Sequence, residues 1–397
     1  MNNALKQCAK CGACTVVCPA YRAGKRESLS ARGRLHLLAS LEPAKASEAY
    51  AQILSKCLLC GACRSACSRS LDPPALFIDA RTSLHRTVGS HAFLRTITQK
   101  ALASPGLLKS LAAIGLPLLQ RLPAESGLRL RLGLSPPFPQ SPGEAPLPAQ
   151  SAKHSLSYFA GCYASHVRKD IAAATEKIAI AAGETVFTPH RQCCCGLAAE
   201  SAGDIDTAKQ LARRNIEAFS ENNLPILTSC ASCYSSLSRY PQLFQDDPDW
   251  LPKAQAFAGR LLEFSTFVAA AMQASPALSF SAFGQERTVA YHDPCHLRFH
   301  IRITTPPRTI LRNIPGLNLQ ELPDGPHCCG QGGLFHLAQP ELAAEIRRSL
   351  LAQIAQTNAK IITTTCTGCL LHIGTGLSGS EEDRGAQHLA LLLAALL

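Results

Sequence analysis

The placement of 19 cysteines restricts this chain more than any other feature. Cys8, Cys11, Cys14 and Cys18, followed by Pro19, follow the spacing C-x2-C-x2-C-x3-C-P, and Cys57, Cys60, Cys63 and Cys67 repeat it. Such a run wraps three thiolates around one face of a cubane, while the fourth points away to complete a second cube. The pattern predicts two [4Fe-4S] clusters, one on Cys8, Cys11, Cys14 and Cys67 and the other on Cys57, Cys60, Cys63 and Cys18. Zinc is the competing metal, but a tetrahedral site is built from two spaced pairs, which four cysteines crowded into one short loop do not supply. Ser68 stands where the second run would carry proline. Proline shapes the turn and ligates nothing, so only the surroundings that tune the cluster potential are affected.

No cysteine occurs from Arg69 to Gly161, and the rest form an internal repeat. The first copy is Cys162, Cys194-Cys195-Gly196 and Cys230-Ala-Ser-Cys233; the second is Cys295, Cys328-Cys329-Gly330 and Cys366-Thr-Gly-Cys369. Gaps of 31 and 34 residues in one copy match 32 and 36 in the other. A fixed internal period marks a duplicated structural unit. Neighbouring thiolates can bridge or cap separate irons, and glycine permits the unusual backbone beside them. Cys193 makes a third consecutive cysteine, so spacing alone leaves the register open. The glycine after Cys195 favours Cys194 and Cys195 as ligands and Cys193 as a spare buried thiol.

Hydrophobic periodicity predicts strands at 155–160, 184–188 and 224–228 in the first copy, with helices at 165–182 and 204–219. The second copy gives strands at 288–292, 317–322 and 360–364 and a helix at 341–357. Strands alternating with helices imply a parallel sheet, and the cysteines follow the strands, at the carboxyl edge where such sheets bind ligands. The fold expected is α+β and multi-domain: a helical two-[4Fe-4S] ferredoxin-like domain at 1–90, a helical connector at 91–133, a Pro-rich linker at 134–154, and repeated α/β domains at 155–275 and 276–397. The connector carries Leu107, Leu108, Leu111, Ile114, Leu118 and Leu119 at helical spacing, which reads as a face packed on a neighbouring domain or subunit rather than a membrane-surface helix.

The N-terminus, Met1 to Gln7, offers no apolar signal segment, so a disulfide framework formed in an oxidising compartment is not expected, and the protein reads as cytoplasmic. No run of eighteen apolar residues suggests a membrane span, which leaves peripheral contact with the inner face of the cell membrane. The formal charge of +11 would suggest nucleic acid, but thiolate-bound clusters carry negative charge that offsets it, and no nucleic-acid partner is expected. No Gly-rich turn between strand and helix announces a flavin or nicotinamide site. Gly330-Gln-Gly-Gly333 follows a ligand pair and lacks the acidic partner at the required distance. No flavin is expected in this chain, and electrons must arrive from a partner. His190, His292, His296 and His327 lie near the cysteines in sequence; His292 and His296 rank first as a proton relay.

The repeated C…CCG…CxxC arrangement resembles the cysteine-rich CCG domains of heterodisulfide reductases and of the iron–sulfur subunits of glycolate, D-lactate and glycerol-3-phosphate dehydrogenases. Tyr291-His292-Asp293-Pro294-Cys295-His296-Leu297, Ile314-Pro315-Gly316-Leu317 and Cys328-Cys329-Gly330 are similar to the glycolate or lactate dehydrogenase subunit. That resemblance implies an electron-transfer subunit beside an FAD-containing partner that oxidises a 2-hydroxy acid, with a quinone or another carrier as acceptor. Both cysteine sets are complete, as in the heterodisulfide reductase catalytic subunit. There the family implies a noncubane [4Fe-4S] cluster on each five-cysteine set, giving one or two further clusters here and an alternative activity, reduction of a disulfide.

Overall fold

The computed structural model describes residues 7–41, 47–88, 110, 154–274, 278–284, 286–378 and 384–397. Apart from Ser110 and His154, the expected connector and linker lie outside the described residues.

The N-terminal part is helical, with helices Ala13–Val17, Pro19–Gly24, Ala31–Ser40, Glu48–Ser55, Ala62–Ser65 and Pro73–Val88 among the described residues. Short helices bury little, and their exposed last carbonyls need donors. Two buried arginines supply them. Arg34 donates to the carbonyls of Leu29, Ile53 and Lys56, and Arg81 donates to those of Leu54 and Cys57. Leu35, Leu38, Leu54 and Phe77 form the core beneath them, so the charged head groups close the ends of a genuinely apolar cluster.

The rest of the chain contains two four-stranded parallel sheets. The first has strands β1 (Leu156–Phe159), β2 (Val186–Phe187), β3 (Ile226–Thr228) and β4 (Leu261–Glu263) in the order β2-β1-β3-β4. The second has β5 (Arg287–Tyr291), β6 (Leu317–Gln320), β7 (Ile361–Thr364) and β8 (Gly385–His388) in the order β6-β5-β7-β8. The duplicated cysteine pattern is therefore a duplicated topology. In each sheet the chain steps to one side and then to the other, so the carboxyl ends of β1 and β3, and of β5 and β7, form a switch point. The expected strands are present, five of them shorter than expected and β5 of the expected length but shifted by one residue. The helix expected at 165–182 is interrupted, as Gly161–His166 and Lys169–Ala181, and β4 and β8 close each sheet without having been anticipated.

The repeats interlock. The helix Lys169–Ala181 of the first packs against the last helix of the second, Leu389–Ala394, while Phe264–Ala274 of the first packs against Thr305–Arg312 of the second. Leu389, Leu391, Leu392 and Leu393 are all buried, and a helix apolar on every side must be enclosed. At roughly 2 kcal/mol for each buried leucine, these contacts make the junction a core shared by both repeats. Lys177 Nζ donates to the Ala394 carbonyl at 2.8 Å across it.

Candidate metal centres

Both N-terminal cysteine loops are built alike. The glycine after the second cysteine is left-handed, with φ of 83° at Gly12 and 82° at Gly61, and turns the loop into the helix bearing the third cysteine. The residue before that second cysteine is left-handed as well, Lys10 at 54° and Leu59 at 55°. Strain at a non-glycine residue in both copies of a loop marks a conformation kept for its site. The Leu59 N–H donates to Cys57 Sγ at 3.4 Å. Burial, with Cys57 and Cys18 nearby, pushes the Cys63 thiol well above its ordinary value, and burial also raises Cys18, with Cys57 adding to the shift. Cys18 thus lies near Cys57, Cys60 and Cys63, and also near Cys14 of its own run. Cys8 acts on Cys14, and Cys67 packs on the same apolar cluster as both, while Cys11 is exposed.

In each repeat five thiols converge on the switch point. In the first, Cys194 interacts with Cys162 and Cys195, Cys195 with Cys233, and Cys233 with Cys230. In the second, Cys328 interacts with Cys295 and Cys329, Cys329 with Cys369, and Cys369 with Cys366. Cys230 and Cys366 begin the helices after β3 and β7, which fixes their position at the sheet edge. The glycines after the adjacent cysteines are left-handed, with φ of 87° at Gly196 and 89° at Gly330. Cys193 turns away: its thiol faces Asn215 Oδ1 at 3.5 Å and the Leu211 carbonyl at 3.6 Å, and burial pushes it up to about 12.

The two sets meet. Cys230 and Cys366 interact directly across the junction of the repeats. The second set also meets the N-terminal part, since Cys295 acts on the Cys60 thiol and packs on the same apolar cluster as Cys18 and Cys60. The cysteine-free connector therefore separates the two regions in sequence, not in space.

Every described cysteine is a free thiol, and most are buried. Neighbouring thiols and burial hold Cys194, Cys233, Cys328 and Cys369 well above the ordinary thiol range, while adjacent thiols pull Cys230 and Cys329 well below it. Ten thiols crowded together without disulfides are poorly satisfied as thiols. Multivalent cations that favour thiolates resolve the conflict, so the donor set fits iron–sulfur groups. The 4Fe-4S dicluster domain family matches residues 4–71, and the cysteine-rich (CCG) domain family matches residues 156–238 and 289–374. The chain belongs to the CCG-domain iron–sulfur proteins. It is 29% identical to a probable glycolate oxidase iron-sulfur subunit of Bacillus subtilis over 98% of this chain and 93% of that protein. Lactate utilization protein A of Bacillus velezensis is 29% identical, and that of Bacillus licheniformis 28%, each over 60% of this chain and 98% of its own length.

Of the histidines singled out in the sequence, His190 is exposed, whereas His292, His296 and His327 are buried in the second CCG repeat. His296 Nδ1 lies 3.0 Å from Ser232 Oγ, which lies 3.0 Å from Cys366 Sγ, and burial pushes this imidazole down to about 3. Ser232 belongs to the first repeat and serves a thiol of the second. Thr367 returns the contact, its Oγ1 lying 3.2 Å from Cys230 Sγ. Neither hydroxyl was legible in the sequence, because each acts across the junction. His372 was missed too: its Nδ1 lies 2.6 Å from the Cys329 carbonyl and orients the adjacent-cysteine loop. Among the described residues no helix is long and apolar enough to cross a membrane.

Proposed function

We propose that this chain is the electron-transfer subunit of a flavin-dependent 2-hydroxy-acid dehydrogenase acting on glycolate or D-lactate, receiving electrons from an FAD-containing partner and passing them to a quinone or another carrier. The observation that carries this reading is the unbroken succession of sulfurs from the N-terminal loops through Cys60 and Cys295 to the second set, and through Cys366 and Cys230 to the first. When bound, [4Fe-4S] groups accept and release single electrons, dividing the two-electron oxidation performed at a flavin. In this reading Cys8, Cys11, Cys14 and Cys67 hold one cluster, Cys57, Cys60, Cys63 and Cys18 the second, and the two five-cysteine sets hold further clusters of noncubane type. The likeness to a glycolate oxidase iron-sulfur subunit along nearly the whole chain supports the substrate class. The assembly would be peripheral to the membrane, on its cytoplasmic side, if the acceptor is a quinone.

The test is Cys14→Ser in the complex purified anaerobically with its flavoprotein. Oxidation of glycolate or lactate with an artificial dye should persist, and reduction of the physiological acceptor should fall at least tenfold. Undiminished transfer to that acceptor refutes the relay. The contact between two complete sets also favours a second reading, in which a disulfide is reduced between them. Turnover of a low-molecular-weight heterodisulfide by the isolated chain, without a 2-hydroxy-acid-oxidising partner, would promote that alternative.

A further inference from the structure

The sheet register identifies equivalent residues in the two repeats. Tyr158 lies opposite Leu227, and Tyr291 opposite Thr363, each partner three positions ahead of Cys230 or Cys366. The tyrosine hydroxyls make matching contacts, to Ser229 at 2.8 Å and to Thr365 at 3.1 Å. The next residue differs: Phe159 in the first repeat, His292 in the second. Both are enclosed, but a phenyl ring is satisfied by apolar surroundings and an imidazole is not.

His292 is 1% exposed, and neither of its ring nitrogens makes a hydrogen bond of ordinary geometry among the described residues, although the ring lies close enough to the Cys329 thiol to help pull it below its ordinary value. A buried polar nitrogen without a partner is costly and calls for a hydrogen bond, a water or a metal. What the fold places beside the ring is sulfur. One ring nitrogen of His292 and the sulfurs of Cys329 and Cys369 all lie within 4.8 Å of one another. That is the spacing of donors converging on one ion, and neutral imidazole is a common partner of thiolates around iron.

We propose that His292 is a ligand of the iron–sulfur group held by the second five-cysteine set, which would make that set mixed thiolate and imidazole while the first, with Phe159 in the same place, is thiolate alone. This rests on the reading that the second set holds iron. A neutral imidazole adds no negative charge to the group, so a thiolate in its place would lower the potential. An imidazole bound in this way has one nitrogen committed to metal, a different role from the proton relay suggested by its position in the sequence.

The experiment is pulsed EPR on the reduced, anaerobically purified protein, grown with natural-abundance or 15N-labelled histidine. A histidine nitrogen coupled directly to a reduced centre is expected, and it should vanish in both His292→Phe and Cys329→Ala. Phenylalanine is the residue that the first repeat carries at this position. Should His292→Phe lose iron altogether, His292→Cys is expected to keep it, lose the nitrogen coupling and titrate at a lower potential. A centre removed by Cys329→Ala that shows no histidine coupling overturns the proposal alone, as does coupling that survives His292→Phe. Iron content and spectra unchanged in Cys329→Ala would overturn the proposal together with the reading on which it rests.

Discussion

The two CCG repeats share one strand order and one arrangement of five thiols, yet they are not interchangeable. Where the first repeat has Phe159, Ser236 and Glu263, the second has His292, His372 and His388. Ser236 Oγ donates to the Cys195 carbonyl at 2.9 Å, as His372 Nδ1 meets that of Cys329. The first strand of each repeat leads to a different turn as well. The first continues into the ordinary helix Gly161–His166, the second into a π-helical turn, His296–Ile301, a wider winding often found at functional sites. That turn brings Phe299 and His300 against the N-terminal part, where His300 Nε2 lies 3.0 Å from the Leu59 carbonyl. Duplication supplied the scaffold, and local changes placed the second set of thiols beside the N-terminal cysteine loops.

The sharpest way to break this comparison is to remove one thiol from each set. Cys329→Ala and Cys195→Ala should each eliminate the group of their own repeat and leave the N-terminal pair intact. Their consequences should differ. With the second set gone, the first is expected to become reducible at least a hundredfold more slowly from the N-terminal clusters, since Cys295 and Cys366 mark the connecting path. With the first gone, reduction of the second should proceed at the wild-type rate. Rapid-freeze EPR distinguishes the cases, and equal retardation in both variants would contradict the proposed order.

A smaller contrast lies in the glycines after the adjacent cysteines. Any side chain at φ near 90° is strained, which costs about 1–2 kcal/mol at either site. Their surroundings differ. A Cβ at Gly330 would come within 2.6 Å of the Ala343 carbonyl, on the rigid helix Pro340–Ala355, whereas at Gly196 the nearest atom, the Ala208 carbonyl oxygen, is 3.5 Å away. Overpacking adds roughly 1–3 kcal/mol to the first case only. Gly330→Ala should therefore lower the apparent melting temperature and the iron content more than Gly196→Ala does, and the reverse ranking would show that backbone strain alone decides.

The thiol chemistry was legible in the sequence because the cysteine spacing repeats: Cys162 meets Cys194, Cys195 meets Cys233 and Cys233 meets Cys230, and their second-repeat counterparts follow the same succession. The parallel sheets were legible because β1, β3, β5 and β7 are buried strands bounded by ligand loops. The outer strands escaped notice. β4 is Leu-Leu-Glu and β8 is Gly-Ala-Gln-His, too short or too polar to carry a period, and tertiary pairing overrides that weak preference. The contacts of Ser232 with Cys366 and of Cys60 with Cys295 join residues far apart in sequence, and the interlocked helices that create them leave only apolar composition as their trace.

The smallest contrast concerns those outer strands, whose final residues are equivalent. Glu263 lies opposite Thr228 and His388 opposite Thr364, and each begins the helix that crosses to the other repeat. Both cap it. Glu263 Oε2 accepts from the Thr266 N–H at 2.9 Å and from Ser265 Oγ at 2.6 Å, and His388 Nδ1 accepts from the Ala390 N–H at 3.2 Å. Burial raises the carboxyl of Glu263 above its ordinary value even against these donors, whereas burial pushes His388, with Cys230, Arg168 and Asp170 nearby, from 6.5 down to about 4. The signs are opposite. Between pH 6.5 and 4 the unfolded chain binds a proton that folded His388 refuses, so stability falls as pH falls, by roughly 3 kcal/mol once the window is crossed. Folded Glu263 holds its proton longer than the unfolded chain does, so its contribution falls as pH rises above 4.5 through its raised folded value. His388→Gln should flatten the acid side of a plot of apparent melting temperature against pH, and Glu263→Gln should flatten the decline on the other side. If both variants flatten the same side, the two caps do not hold the protonation states that their burial requires.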